Sequence, residues 1–148
     1  AKVQFVKENM ALLRQLSACS ESDFVADKVK FYAAVHALQV SVEAMLDTFS
    51  HALARLHLGV PTSDRATLEL ARDKGLTTSS HFAKYIEMNK FRNKVVHGYM
   101  DVDPKIIYSM LQNDLDDFQM FFADIRHVVE NEQAKERNGK RKKANGRK

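Results

Sequence analysis

Apolar residues recur at spacings of three and four along most of the first 130 positions, the mark of helices with one buried face. Val3, Val6, Met10, Leu13 and Leu16 form the first such stripe. Ser20, Ser22 and Asp23 offer N-caps for a second, long helix. It carries Val25, Val29, Tyr32, Val35, Leu38, Val42, Met45, Phe49, Leu53 and Leu56, and ends at Gly59. A helix of more than about 30 residues exceeds what one small core needs, which suggests packing against a second copy. Pro61 blocks continuation, and Thr62, Ser63 or Asp64 caps a short third helix through Leu68 and Leu70, stopped by Gly75. Ser79 or Ser80 opens a fourth, with Phe82, Ile86, Met88, Phe91 and Val95 inward and Gly98 as its stop. Asp103-Pro104, a cap followed by proline at the first helical position, opens a fifth through Ile107, Met110, Leu111, Phe118, Phe121, Phe122, Ile125 and Val129. No strand-like alternation of useful length and no repeat interrupts this series. The pattern predicts an all-α fold, an antiparallel bundle of about five helices.

Composition agrees. Glycine (5) and proline (2) are scarce among 148 residues, so elements are few and long. That length suits one domain, placed at 1–130. No apolar run approaches the ~20 residues of a membrane span. The opening Ala-Lys-Val-Gln-Phe-Val-Lys-Glu has no export-signal pattern, and the one cysteine, Cys19, has no internal disulfide partner. A cytoplasmic location is expected. The net charge of +4 is unevenly placed. Residues 131–148 hold eight Lys or Arg against two Glu, whereas the rest holds 15 basic and 17 acidic groups. With almost nothing apolar to bury, 131–148 is expected to be a disordered basic tail, either solubilising or loosely attractive to RNA or another polyanion.

One segment suggests chemistry. Residues 92–99 read Arg-Asn-Lys-Val-Val-His-Gly-Tyr and sit where the fourth helix stops. Asn93 and His97, four apart, share a helical face; Arg92 is offset from His97 by about 140°, yet its long side chain can still converge on a phosphate. Each residue also has a plain structural explanation: a histidine complementing the helix dipole, a solvated Arg-Asn face, a tyrosine packing beyond the C-terminal glycine.

The segment, continuing Met-Asp-Val-Asp-Pro, resembles the Arg-x4-His-x-Tyr signature of HepT-like proteins in the HEPN superfamily. These are ribonuclease toxins of bacterial toxin–antitoxin pairs whose partner is a minimal, MntA-like nucleotidyltransferase. The likeness extends over about residues 3–130, including the long second helix with Ala-Leu-Gln-Val-Ser-Val-Glu-Ala-Met-Leu-Asp. Where the family often has a small residue two before the arginine, this chain has Lys90. The resemblance implies a HEPN-like twofold homodimer in which two signature segments share a cleft. It implies a metal-independent endoribonuclease acting on RNA, with Arg92 and His97 catalytic and Asn93 orienting substrate. His97 would serve as base or acid, Arg92 would bind the non-bridging oxygens, and the product would be a 2′,3′-cyclic phosphate. Tyr99 would be the acceptor of AMP, transferred from ATP by the antitoxin, so that bulk and negative charge close the cleft.

Other polar residues carry weaker signals. Glu43 and Asp47 lie four apart on the long helix, which usually marks a solvated stripe, although Glu43 is placed to meet Arg92 across the bundle. His36, His51, His57 and His81 are dispersed without metal-ligand spacing, and His127 needs no special role. No Gly-rich phosphate loop or serine elbow is present, so neither metal nor cofactor is expected, and ATP would be used by the partner. Two readings besides the nuclease stay open: a noncatalytic subunit that grips nucleotide or RNA for a nucleotidyltransferase, and a purely structural helical adaptor.

Overall fold

Seven helices make up the regular structure in a computed structural model that describes residues 2–98 and 102–145. They are α1 (Lys2–Leu16), α2 (Glu21–Ala26), α3 (Lys28–Arg55), α4 (Asp64–Asp73), α5 (Ser79–Val96), α6 (Pro104–Asn113) and α7 (Asp117–Asn145). The all-helical fold expected from the sequence is the one observed, with two of the five expected helices each divided in two.

Both divisions fall at aspartates. Asp27 has extended backbone (φ −108°, ψ 99°), and its carboxylate accepts from the N–H groups of Val29 and Lys30. It therefore caps α3 instead of continuing α2, because a short acceptor side chain competes with the helical backbone for those donors. The break turns α2 so that Phe24 is fully buried, its ring 5.7 Å from that of Tyr108 on α6. The second division comes at residues 114–116. Asp114 closes α6, donating its N–H to the Met110 carbonyl, and Leu115 is buried in the turn before α7. Asparagine and aspartate at 113–114 are poor helix formers, and the buried leucine rewards the bend.

Long helix α3 is the spine. α1 packs along it through Val6, Met10 and Leu13, while α4 and α5 cross it elsewhere. The core is continuous, with Phe49 of α3 in contact with Tyr85 of α5 and Phe121 of α7 at ring separations of 5.5 and 5.7 Å. Fully burying an aromatic of this size stabilises by about 1.5–3 kcal/mol. Ser63 caps α4 as expected, and Gly75 and Gly98 follow α4 and α5 with φ near +79°, a conformation in which a side chain would be strained, whereas α3 ends at Arg55, before the expected stop at Gly59.

The segment from 131 departs from the expected disorder. α7 runs on as helix to Asn145, with residues 133–143 all exposed. The lack of apolar content rules out independent folding, but it does not stop a helix already nucleated in the core from lengthening. Gln133, Ala134, Lys135, Glu136 and Arg137 are good helix formers and no proline intervenes. Among the described residues, no helix is long and apolar enough to cross a membrane.

Candidate active site

The last two turns of α5 carry the polar grouping singled out in the sequence. His97 is the C-cap (φ −80°, ψ 14°), its N–H directed to the carbonyls of Asn93 and Val95, and Gly98 then turns the chain away. Val95 faces the core, which leaves His97 exposed at the helix end. Five residues separate it from Arg92, about 7.5 Å along the axis.

Arg92 is fixed from three sides. Its Nε donates to Glu43 Oε1 on α3 (3.2 Å), and Nη1 donates to Asp64 Oδ2 on α4 and to Asn93 Oδ1, both at 3.1 Å. Glu43 Oε1 also accepts from Gln39 Nε2 at 3.1 Å. The guanidinium is 24% exposed and its two carboxylate partners 33% and 42%. Water therefore screens the attraction, and these ion pairs act more to set orientation than to add stability. Among the described residues Nη2 takes no hydrogen bond, so one edge of the fork remains to meet an anion.

The structure thus joins Arg92, Asn93 and Glu43 directly and places His97 further along the same helix. Tyr99 lies outside the described residues. Asp47 does not join Glu43: it is exposed and pairs with Lys2 at 3.0 Å. Lys90, the departure from the family pattern, is exposed and pairs with Glu87 at 3.2 Å, away from the Arg92 cluster. Sequence reasoning misses Asp64 and Gln39. Asp64 is visible in the sequence only as a possible cap; because Ser63 takes that role, the Asp64 carboxylate is left to reach Arg92. Nothing in the spacing links positions 64 and 92.

A second polar cluster lies deep in the fold. Asp124 of α7, 7% exposed, accepts from Tyr85 Oη and from Thr77 Oγ1 (2.6 Å), and His81 Nδ1 lies 3.1 Å from both of its oxygens. Burial, then the adjacent Asp124 carboxylate, push the Tyr85 phenol far above its usual range. This cluster ties α5 to α7. The expected inward residues of α5 do face the core, Val95 buried and Phe82, Ile86, Met88 and Phe91 partly buried against it, and Tyr85 and Asn89 are buried beside them. A cavity of about 290 Å³ between α3, α5, α6 and α7 is lined by Leu38, Val42, Met88, Phe91, Met110 and Phe118 among others, and by none of residues 92–97. Among the described residues, no group of three or more His, Cys, Asp or Glu is arranged to hold a metal ion.

Comparison with known proteins gives a consistent picture. The family model described as "Ribonuclease HepT-like" matches residues 6–125. The mRNA nuclease HepT of Shewanella oneidensis is 30% identical over 89 residues, 60% of this chain and 67% of that protein. The tri-AMPylated Shewanella oneidensis HEPN toxin, solved in complex with its MNT antitoxin, superposes with a TM-score of 0.78 at 26% identity, covering 85% of this chain and 94% of that one. A toxin–antitoxin crystal structure with AMP-PNP gives 0.75 at 26% identity, covering 84% and 93%. A match over most of the helical bundle, with Arg92, Asn93 and His97 inside it, places this chain in the ribonuclease HepT-like family.

Proposed function

We propose that this chain is the ribonuclease toxin of a toxin–antitoxin pair, a metal-independent endoribonuclease silenced by an MntA-like nucleotidyltransferase. The observation that carries the proposal is the presentation of Arg92. Its Nε and Nη1 are held by Glu43, Asp64 and Asn93, its Nη2 edge has no hydrogen-bond partner among the described residues and is open to a phosphate, and a histidine lies at the end of the same helix.

In this reading two copies form a twofold homodimer and each brings one Arg92–His97 set to a shared groove. Val29 and Tyr32, 78% and 53% exposed on α3, give a second copy apolar surface to cover. RNA lies with a phosphate against Arg92. His97 takes the proton of the adjacent 2′-hydroxyl, the 2′-oxygen attacks phosphorus, and the 5′-oxygen departs with a proton delivered by imidazolium. Arg92 neutralises the charge that builds on the non-bridging oxygens, and Asn93 orients the strand. The products are a 2′,3′-cyclic phosphate and a free 5′-hydroxyl. Glu43 and Asp64 are positioning residues, since they touch Arg92 and not the reacting atoms.

Regulation rests on Tyr99, two residues past His97. The antitoxin transfers AMP from ATP to the tyrosine oxygen and releases pyrophosphate, which puts a bulky anion where RNA phosphates must enter. Support comes from the AMP-bearing state of the related toxin. Expression in a bacterial host tests the whole reading. The chain alone should arrest growth, and Arg92→Ala or His97→Ala should each relieve the arrest. Co-expression with the antitoxin should yield Tyr99 heavier by AMP. Undiminished arrest by either alanine variant, or neutralised toxin with unmodified Tyr99, would contradict the corresponding part.

A further inference from the structure

The basic end of α7 is the feature that the proposed function leaves unused. From Gln133 to Lys143 every residue is exposed, and Lys135, Arg137, Lys140, Arg141, Lys142 and Lys143 carry six positive charges against the single Glu136. The family match stops at residue 125, so this extension lies outside what relates the chain to HepT-like proteins. It begins at a fixed point: Arg55 at the end of α3 donates to Glu132 at 2.8 Å. Twelve residues separate Arg55 from Glu43, so this anchor stands about 18 Å along α3 from the carboxylate that holds Arg92. Beyond it the charged segment reaches a further ~18–20 Å.

The distribution of charge decides the partner. At 100° per residue the six cations point around the whole helix instead of along one stripe, and the only apolar side chains in 133–145 are Ala134 and Ala144. A helix that lies on a lipid surface needs an apolar face to insert, which this one lacks. A flat acidic protein surface would meet only about half of these cations. A flexible polyanion can meet them from all sides, and attraction to its phosphates requires no fixed geometry. We infer that the α7 extension is a phosphate-binding arm for single-stranded RNA, which raises the concentration of strand around the molecule that carries the Arg92–His97 site without selecting sequence. The inference takes its RNA substrate from the proposed function, but binding by the arm is separable from cleavage.

The test is therefore made on full-length protein carrying Arg92→Ala and His97→Ala, so that strands stay intact. Binding of a fluorescent oligouridylate is measured from about 50 to 200 mM salt, a range over which phosphate contacts weaken steeply. The same titration is repeated with Lys135, Arg137, Lys140, Arg141, Lys142 and Lys143 all replaced by glutamine, which preserves helix propensity, and with Lys140→Gln, Lys142→Gln and Lys143→Gln alone. Each lost phosphate contact flattens the plot of log affinity against log salt by about 0.7, so the six-fold variant should lose about 2–4 from the slope and the three-fold variant about half as much. Affinity at the lowest salt should fall at least about ten-fold for the six-fold variant. An unchanged slope in both variants overturns the inference. So does preferential binding of the parent protein to phosphatidylserine vesicles over the oligouridylate. Failure of the nuclease reading would instead show as intact RNA with wild-type Arg92 and His97, whatever the arm binds.

Discussion

The Asp124 carboxylate holds Thr77, His81 and Tyr85 to α7. Asp124→Ala leaves the hydroxyls of Tyr85 and Thr77 without their acceptor, in a site where Tyr85 is fully buried and Thr77 nearly so. Each orphaned buried hydroxyl costs about 1–3 kcal/mol. His81 adds little, because its side chain is 26% exposed and water can replace the carboxylate. The expected loss is about 3–5 kcal/mol, which at ~3 °C per kcal/mol for a chain of this length lowers Tm by about 10–15 °C. Tyr85→Phe should cost less, about 1.5–3 kcal/mol, since Thr77 and His81 still satisfy Asp124. The double variant should then fall short of the sum by about 1–3 kcal/mol, because a phenylalanine ring in place of the phenol leaves no hydroxyl to orphan. Urea denaturation at one fixed protein concentration measures all three. The phenol adds a pH signature. Its folded pKa is raised, so the folded state retains a proton that the unfolded state gives up above about pH 10. Its contribution is complete below that pH and is lost as pH rises further. The advantage of wild type over Tyr85→Phe should therefore shrink by about 1.4 kcal/mol per pH unit above pH 10. A cost for Asp124→Ala under about 1 kcal/mol, or additive single variants, would refute the idea that this carboxylate pins α5 to α7.

Three further outcomes follow from the site. Glu43→Gln should reduce RNA cleavage about ten-fold or more while changing stability by less than about 1 kcal/mol, since the part-exposed pair orients Arg92 more than it stabilises the fold; equal losses in both would mean a structural role only. Tyr99→Phe should leave cleavage within about two-fold and abolish AMP incorporation from labelled ATP; continued incorporation at the same stoichiometry would move the acceptor elsewhere. Gly98→Ala, at φ +79°, should cost about 1 kcal/mol and lower cleavage by more than that stability loss explains, because the α5 terminus that carries His97 must shift; unaltered cleavage would show that the helix end is not a critical support.

Local signals in the sequence are reliable wherever the controlling atoms lie within a few residues of one another. Ser63, Gly75, Gly98 and Asp103-Pro104 are such cases, and each bounds a helix as expected. Asp27 shows the limit: its capping bonds to Val29 and Lys30 are local, but a continuous apolar stripe on either side hides them. Asp124 shows a different one. It sits among Phe121, Phe122, Ile125 and Val128, and its partners Thr77, His81 and Tyr85 are about forty residues away, so no periodicity reports the contact. At the candidate site, the 92–97 grouping and the Arg92–Glu43 meeting are legible, while Asp64 is not, since the sequence marks it only as a helix-cap candidate beside Ser63. The α7 extension misleads through composition: high charge argues against a core, yet a helix already started can continue without one.

In the proposed function Arg92 and His97 together break the RNA chain. The most direct test is the single-turnover cleavage rate of one labelled RNA by purified wild type, Arg92→Ala and His97→Ala, with the new ends identified. Wild type should cleave and leave a 2′,3′-cyclic phosphate, and the rate should fall at least about 100-fold in each variant, the scale expected for a proton-transfer or charge-stabilising group. RNA that wild type leaves whole, or cleavage that survives either substitution at the wild-type rate, would contradict that joint role.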